Sequence, residues 1–186
     1  MDILIILLCA VLFGITKKLA DLFNEHGLRW FKGDAILFGF LWGIFGALLV
    51  LADIDISNII LAMVIAYLIR ARIDYRNHAI AAAIIIISFM FFSTLEPVIF
   101  LAFLAAFTIF GMLKDYLGDV RKKKDVWFMI NERSFYYYIF PLIFSIYTAK
   151  WIVFAALAIH MLAYDLTKYF GMKAVKNKKS KPFKKL

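Results

Sequence analysis

Two polar segments of the chain repeat one arrangement of chemically versatile side chains. The shared pattern is Asp-x-x-Asn with a histidine one or two positions later, and its members are Asp21, Asn24, His26, Asp74, Asn77 and His78. A carboxylate beside a histidine supports proton transfer, because the ordinary pKa of histidine lies close to neutrality. We therefore take His26 and His78 as candidate acid or base groups.

Four aspartates form a second candidate site. Asp115 and Asp119 are four residues apart, so on a continuous helix both carboxylates point the same way. Asp21 and Asp74 also follow odd-numbered apolar runs, which places all four at one face of a membrane. Carboxylate oxygens from several helix ends suit Mg²⁺. The sequence therefore predicts a divalent cation, Mg²⁺, held by Asp21, Asp74, Asp115 and Asp119.

Basic side chains beside these acids add a capacity for phosphate. Arg70 and Arg72 lie just before Asp74, and guanidinium groups hold phosphate oxygens through paired hydrogen bonds. With the histidines and the metal ligands, they predict a small membrane-embedded enzyme that acts on a lipid or prenyl phosphate at the cytoplasmic interface. A simpler interpretation stays open, in which Arg70 pairs with Asp74 four residues later and Asn77 caps the following helix.

These polar residues lie between long apolar runs, which must position them. The chain of 186 residues is 65% hydrophobic, and its mean hydropathy of +0.85 is too high for a soluble domain of this size. Apolar runs occupy residues 3–16, 35–52, 56–69, 79–95, 98–113, 135–149 and 151–164. We predict an all-α polytopic membrane protein with seven transmembrane helices, or six if the last two runs form one bent unit.

The apolar runs are too short to cross a membrane alone. A run of 14 residues covers about 21 Å of a hydrocarbon core about 30 Å thick, so the helices must continue into their charged flanks. For the third run this predicts a helix from Ile56 to Tyr75. Arg70, Arg72 and Asp74 would then lie on its last turns, at the level of the headgroups.

The distribution of basic residues predicts the orientation. All 22 lysines and arginines except Lys150 lie in segments between an odd and an even run or near the C-terminus. The positive-inside rule then places the N-terminus outside the cell membrane and the C-terminus in the cytoplasm. We expect one transmembrane domain over residues 1–170 and a basic, disordered tail over 171–186 that contacts anionic lipid headgroups. The net charge of +9 reflects this topology and does not indicate nucleic-acid binding.

Two other functions fit the sequence. His160 lies about 15 Å into the last run from Trp151, close to the middle of a membrane, where an ionisable group is a functional candidate. It predicts either a transporter or channel, or a neutral histidine that is hydrogen-bonded between helices.

Gly39, Gly43 and Gly46 in the second run allow close helix packing. They fit a non-catalytic assembly subunit whose contact surface is this glycine face. The sequence does not decide among enzyme, transporter and subunit.

Overall fold

The computed structural model describes residues 1–120 and 135–179, and within these ranges the chain is helical and contains no strand. The helices are α1 (Ile3–Glu25), α2 (Asp34–Ala52), α3 (Ile54–Ile69), α4 (Arg76–Phe92), α5 (Pro97–Asp115), α6 (Phe140–Thr148) and α7 (Trp151–Lys179). A turn of π-helix follows α5 at Tyr116–Val120, and another precedes α6 at Phe135–Ile139. Each predicted apolar run therefore falls on a helical segment.

Several helices have the dimensions of membrane helices. Those long and apolar enough to cross a membrane are Ile3–Glu25, Asp34–Ala52, Pro97–Gly118 and Trp151–Lys176. Shorter apolar helices occupy Ile54–Ile69, Arg76–Phe92 and Tyr137–Thr148. The all-α class and the membrane-type helices thus agree with the prediction. Helix α7 continues to Lys179 and so includes the first part of the segment expected to be disordered, while residues 180–186 lie outside the described ranges.

The third helix ends earlier than predicted. Helix α3 stops at Ile69, where Ala71 adopts a left-handed conformation with φ of 51°. The backbone N–H of Arg72 then donates to the carbonyl of Tyr67 at 2.8 Å and closes the last turn. The predicted extension to Tyr75 is wrong, because this turn redirects the chain. Arg70 and Asp74 consequently do not form a pair within one helix.

Glycines of α2 bring this helix into close contact with α4. A Cβ atom on Gly39 would lie 2.5 Å from the Cβ of Asn77, and one on Gly43 would lie 3.1 Å from the Cα of Ala81. The predicted packing role of these glycines is therefore confirmed. Since α4 of the same chain covers this face, it is not available as the contact surface of an assembly subunit.

The end of the bundle where α3 begins is fixed by polar contacts. Asn58 donates to the carbonyl of Thr94 at 3.0 Å and accepts the N–H of Glu96 at 2.9 Å, which ties α3 to the α4–α5 connection. The Lys150 ammonium lies 2.5 Å from the carboxylate of Asp55, whose residue is only 1% exposed. Ser145 donates to the carbonyl of Lys150 at 3.0 Å and holds this turn in place. Three connections of the chain therefore meet at this end.

The Lys150–Asp55 contact is expected to contribute to stability. Replacing Lys150 by methionine leaves a buried carboxylate without its ammonium, and we expect a loss of about 1–2 kcal/mol, because the lysine side chain is half exposed and partly solvated. The hydrogen bond to Asp55 raises the pKa of Lys150. Its stabilisation is therefore complete below the unfolded pKa of about 10.4 and is lost as the pH rises through the folded value. Melting temperatures of wild type and Lys150→Met between pH 8 and pH 11.5 measure both effects.

The exposed Lys173 provides the matched control. Lys173→Met removes an equal charge from the surface and should leave the melting temperature unchanged at every pH. Equal melting temperatures for Lys150→Met and Lys173→Met would contradict the assigned role of the ion pair.

Candidate functional site

A polar cavity lies at the opposite end of the helical bundle. Its volume is about 620 Å³, and its walls come from helices α1 to α5 and α7, together with Gly118 and Tyr137. Among the described residues, its basic side chains are Lys17, Lys18, Arg70, Arg72, Lys114 and Lys168. The acidic side chains of the same wall are Asp21, Glu25, Asp74, Asp115 and Asp165. The polar segments around Asp21 and Asp74 and the end of α5 at Asp115 thus open into one cavity.

His78 is held between two aspartates on the wall of this cavity. Its Nε2 lies 3.1 Å from Oδ1 of Asp21, and its Nδ1 lies 3.2 Å from Oδ1 of Asp74. A neutral imidazole donates from one nitrogen only, so the protonated ring is the form that satisfies both contacts. The Asp21 side chain is 14% exposed and the Asp74 side chain is 53% exposed. His78 therefore links a mostly buried carboxylate to a half-exposed one.

The two asparagines of the repeated pattern also meet. Asn24 donates to the side-chain oxygen of Asn77 at 2.6 Å, and Asn77 donates to the carbonyl of Ala20 at 3.2 Å. The predicted role of Asn77 as a helix cap is wrong. Helix α4 begins at Arg76, so Asn77 lies inside the helix and Tyr75 occupies the N-cap position. The asparagines instead clamp the end of α1 onto the start of α4. This clamp brings Asp21 within reach of His78.

Asp115 is bound by both predicted phosphate ligands. Arg70 donates from Nε at 3.0 Å and from Nη2 at 2.7 Å to one oxygen, and Arg72 contacts the other oxygen at 2.8 Å. The Arg70 side chain is 5% exposed and lies against Gly111, where a Cβ atom would overlap with the guanidinium. The turn at Ala71 allows both arginines to reach the same carboxylate. This group fastens the α3–α4 connection to α5.

The metal prediction is not supported by a formed ligand cluster. Among the side chains that the structure describes, no group of three or more histidine, cysteine, aspartate or glutamate residues is arranged to hold a metal ion. Asp21 and Asp74 contact different nitrogens of His78, which lies between them. Asp115 instead contacts the guanidinium groups of Arg70 and Arg72. The side chain of Asp119 lies outside the described part of the structure. Magnesium therefore stays a prediction.

The other two histidines lie apart from the paired aspartates. His26 lines the cavity, and its Nε2 lies 3.8 Å from a carboxylate oxygen of Glu25. His160 is 2% exposed and packs between the rings of Phe13 and Tyr137, at centroid distances of 4.9 and 5.9 Å. Neither of its ring nitrogens has a hydrogen-bond partner among the described residues. His160 therefore lies in the packed interior and is not among the cavity-lining residues.

Lysines and tyrosines that the sequence did not single out complete the cavity wall. Lys17 donates to the hydroxyl of Tyr67 at 2.6 Å, and that hydroxyl lies 2.6 Å from the hydroxyl of Tyr137. Lys18 donates to Tyr164 at 3.2 Å and lies 3.4 Å from Asp21. Both lysines are less than one-tenth exposed.

Known proteins provide no template for this arrangement. The chain matches no family model, no curated protein and no solved structure. Its function must therefore be inferred from the geometry of the cavity.

One feature of the sequence indicates Lys17 and Lys18, which were not among the predicted site residues. Lys17, Lys18 and Asp21 lie within one turn of each other on α1, a spacing that joins side chains on one helix face. The orientation of the chain in a membrane also accounts for basic residues at this position, so the spacing alone does not identify a site. Tyr67 and Tyr164 carry no comparable signal, since tyrosines are common at the boundaries of membrane helices.

Proposed function

We propose that this chain is a small membrane-embedded enzyme that acts on a lipid or prenyl phosphate at the membrane boundary. The observation that supports it best is the position of His78, which is held between Asp21 and Asp74 on the wall of a cavity that both basic and acidic side chains line. The charged headgroup would enter the cavity, while the hydrocarbon chain stays among the apolar helices. Such a location gives one site access to both lipid and water.

The proposed chemistry uses His78 as the proton carrier. As an imidazolium it supplies a proton to the leaving oxygen when a phosphorus–oxygen bond breaks. The neutral ring then accepts the proton of the incoming water or alcohol. Asp21 keeps the ring oriented and stabilises its charged form, because its carboxylate is mostly shielded from water and contacts Nε2. The more exposed Asp74 connects Nδ1 with solvent.

A topology accompanies this proposal. We propose seven spans in the cell membrane, with the N-terminus outside and the cavity at the cytoplasmic face. Support comes from the alternation of the helices, since α1, α3 and α5 contribute their C-terminal parts to the cavity and α4 contributes its N-terminal part. Labelling of single cysteines at Lys32 and Glu96, in a Cys9→Ser background, from each side of sealed vesicles measures the orientation.

Ligand binding tests the proposed substrate class. The purified chain in detergent is heated with farnesyl phosphate or phosphatidic acid, and in parallel with farnesol or diacylglycerol. We expect the phosphates to raise the melting temperature and the uncharged alcohols to leave it unchanged, because only the phosphates carry a charge that the basic side chains of the wall can bind. Each titration is run with MgCl₂ and with EDTA, and a rise that requires MgCl₂ supports the predicted cation. Equal responses to phosphates and alcohols would rule out the proposed class.

A variant of His78 tests the proposed chemistry. His78→Gln keeps a polar side chain of similar size but removes the proton carrier, so we expect turnover of a bound phosphate to fall by about 100-fold or more. Binding of that phosphate should persist, and ³¹P NMR of the substrate measures both the rate and the product. Lys32→Met, which changes an exposed lysine outside the cavity, serves as the control. Unchanged turnover in His78→Gln would exclude His78 as the proton carrier.

A further inference from the structure

The inner wall of the cavity carries an ammonium group without a carboxylate beside it. Lys17 is 8% exposed, and among the described residues its hydrogen-bond partner is the hydroxyl of Tyr67. Its neighbour Lys18 is 4% exposed and shares the carboxylate of Asp21 with His78. The carboxylate of Asp21 therefore pairs with Lys18 and His78, whereas no carboxylate of the described residues forms an ion pair with Lys17. This part of the wall has an excess of positive charge.

Aromatic rings hold the Lys17 ammonium in a fixed position. Its nitrogen lies 4.7 Å from the ring centroid of Tyr67, and between 5.6 and 5.8 Å from those of Trp42, Tyr137 and Tyr164. The negative faces of such rings stabilise a cation without neutralising its charge. The ammonium group is thus in position before a ligand binds, which reduces the entropy cost of binding.

Trp42 adds a buried donor to the same wall. The residue is 4% exposed and lines the cavity, and its indole N–H has no hydrogen-bond acceptor among the described residues. A buried donor without an acceptor costs free energy, which an acceptor on a ligand recovers. The Trp42 ring lies 5.7 Å from the ring of His78. An anion bound here would therefore lie beside the proposed proton carrier.

The arginines of the cavity are less suited to this role. Arg70 and Arg72 already share the carboxylate of Asp115, with contacts of 2.7 and 2.8 Å. A phosphate bound there would have to compete with that carboxylate. The ammonium of Lys17 faces no such competitor among the described side chains.

We propose that Lys17, Lys18 and the indole N–H of Trp42 form the subsite for the phosphate group of the ligand. This inference rests on the proposed function and deepens it, since it moves the phosphate from the arginines to the inner wall. Two ammonium groups and a neutral donor match a phosphate dianion better than a singly charged carboxylate. The ligand class is a phosphate monoester, either free or attached to a membrane lipid.

The indole signal of Trp42 provides a direct test. The full chain is prepared in detergent with ¹⁵N at the indole nitrogen of tryptophan, and the Trp42 signal is assigned with Trp42→Phe. We expect farnesyl phosphate to shift this signal downfield and farnesol to leave it unchanged. A shift with inorganic phosphate alone identifies free phosphate as a ligand, whereas a shift that requires farnesyl phosphate identifies a lipid phosphate. Absence of a shift with either phosphate would overturn the subsite.

Affinity measurements on variants separate the two groups of cations. Lys17→Met and Lys18→Met should each weaken binding of farnesyl phosphate by about tenfold or more, since each removes a charge-assisted hydrogen bond. Lys173→Met, an exposed change on α7, should leave the affinity unchanged. If Arg70→Met and Arg72→Met abolish binding while the lysine variants bind normally, the subsite is wrong but the proposed function stands. Melting temperatures of all variants identify any that are poorly folded.

Discussion

Replacing Asp21 by alanine is expected to lower the free energy of unfolding by about 3–5 kcal/mol. One oxygen of this carboxylate faces Nε2 of His78 at 3.1 Å, and the other accepts the hydroxyl of Tyr164 at 3.0 Å. The second oxygen also lies 3.4 Å from the ammonium of Lys18. Without Asp21, Lys18 and His78 would lose the carboxylate that they share, and Asp74 would remain only on the other side of the imidazole. Unfolding by SDS in mixed micelles, followed by circular dichroism, measures the loss.

Asp74→Ala is the matched control for this effect. Asp74 faces the other nitrogen of His78, but its side chain is 53% exposed, so water replaces much of the lost contact. We expect a loss below about 1 kcal/mol for this variant. Asp21→Asn should be intermediate, because the amide oxygen still accepts one hydrogen bond. Equal losses for Asp21→Ala and Asp74→Ala would mean that the buried carboxylate does not organise the cavity.

The fold followed from features of the sequence that act locally. Each apolar run forms a helical segment. The hydrocarbon interior of a membrane contains no water, so a segment that crosses it must satisfy its backbone hydrogen bonds internally, as a helix does. The echo between the segments around Asp21 and Asp74 identified residues that meet, since Asn24 bonds to Asn77 and both aspartates contact His78. Polar side chains at the same depth in a mostly apolar bundle have few other polar groups to bind. The repeated pattern therefore indicates which residues contact each other.

The partners of the arginines were not predictable in the same way. The pairing of Arg70 with Asp115 joins residues 45 positions apart and depends on the packing of α3 against α5. It also depends on the left-handed backbone conformation of Ala71. Alanine rarely adopts this conformation, so the residue type does not predict it. The aromatic surroundings of Lys17 likewise combine rings from several helices. Such contacts are tertiary, and neither spacing nor composition specifies them.

Substitution of Gly14 by alanine is expected to destabilise the chain by about 3 kcal/mol, because α1 crosses α7 at this glycine. A Cβ atom at position 14 would overlap with the backbone carbonyl oxygen of His160 and lie 3.2 Å from the backbone nitrogen of Tyr164. Backbone atoms of a packed helix cannot rotate away as side chains do. The two helices must therefore separate. Unfolding by SDS in mixed micelles gives the change in stability.

Gly171→Ala distinguishes this steric effect from the ordinary effect of alanine in a helix. A Cβ atom at Gly171 meets the terminal methyl group of Leu22, which can adopt another rotamer. Alanine there should cost little, because the helix propensity gained, about 1 kcal/mol, offsets the repacking. Separation of α1 from α7 in Gly14→Ala also moves Lys18 and Asp21 away from Tyr164, so binding of farnesyl phosphate should weaken along with stability. Normal binding and stability in Gly14→Ala would show that the contact between α1 and α7 does not position the cavity wall.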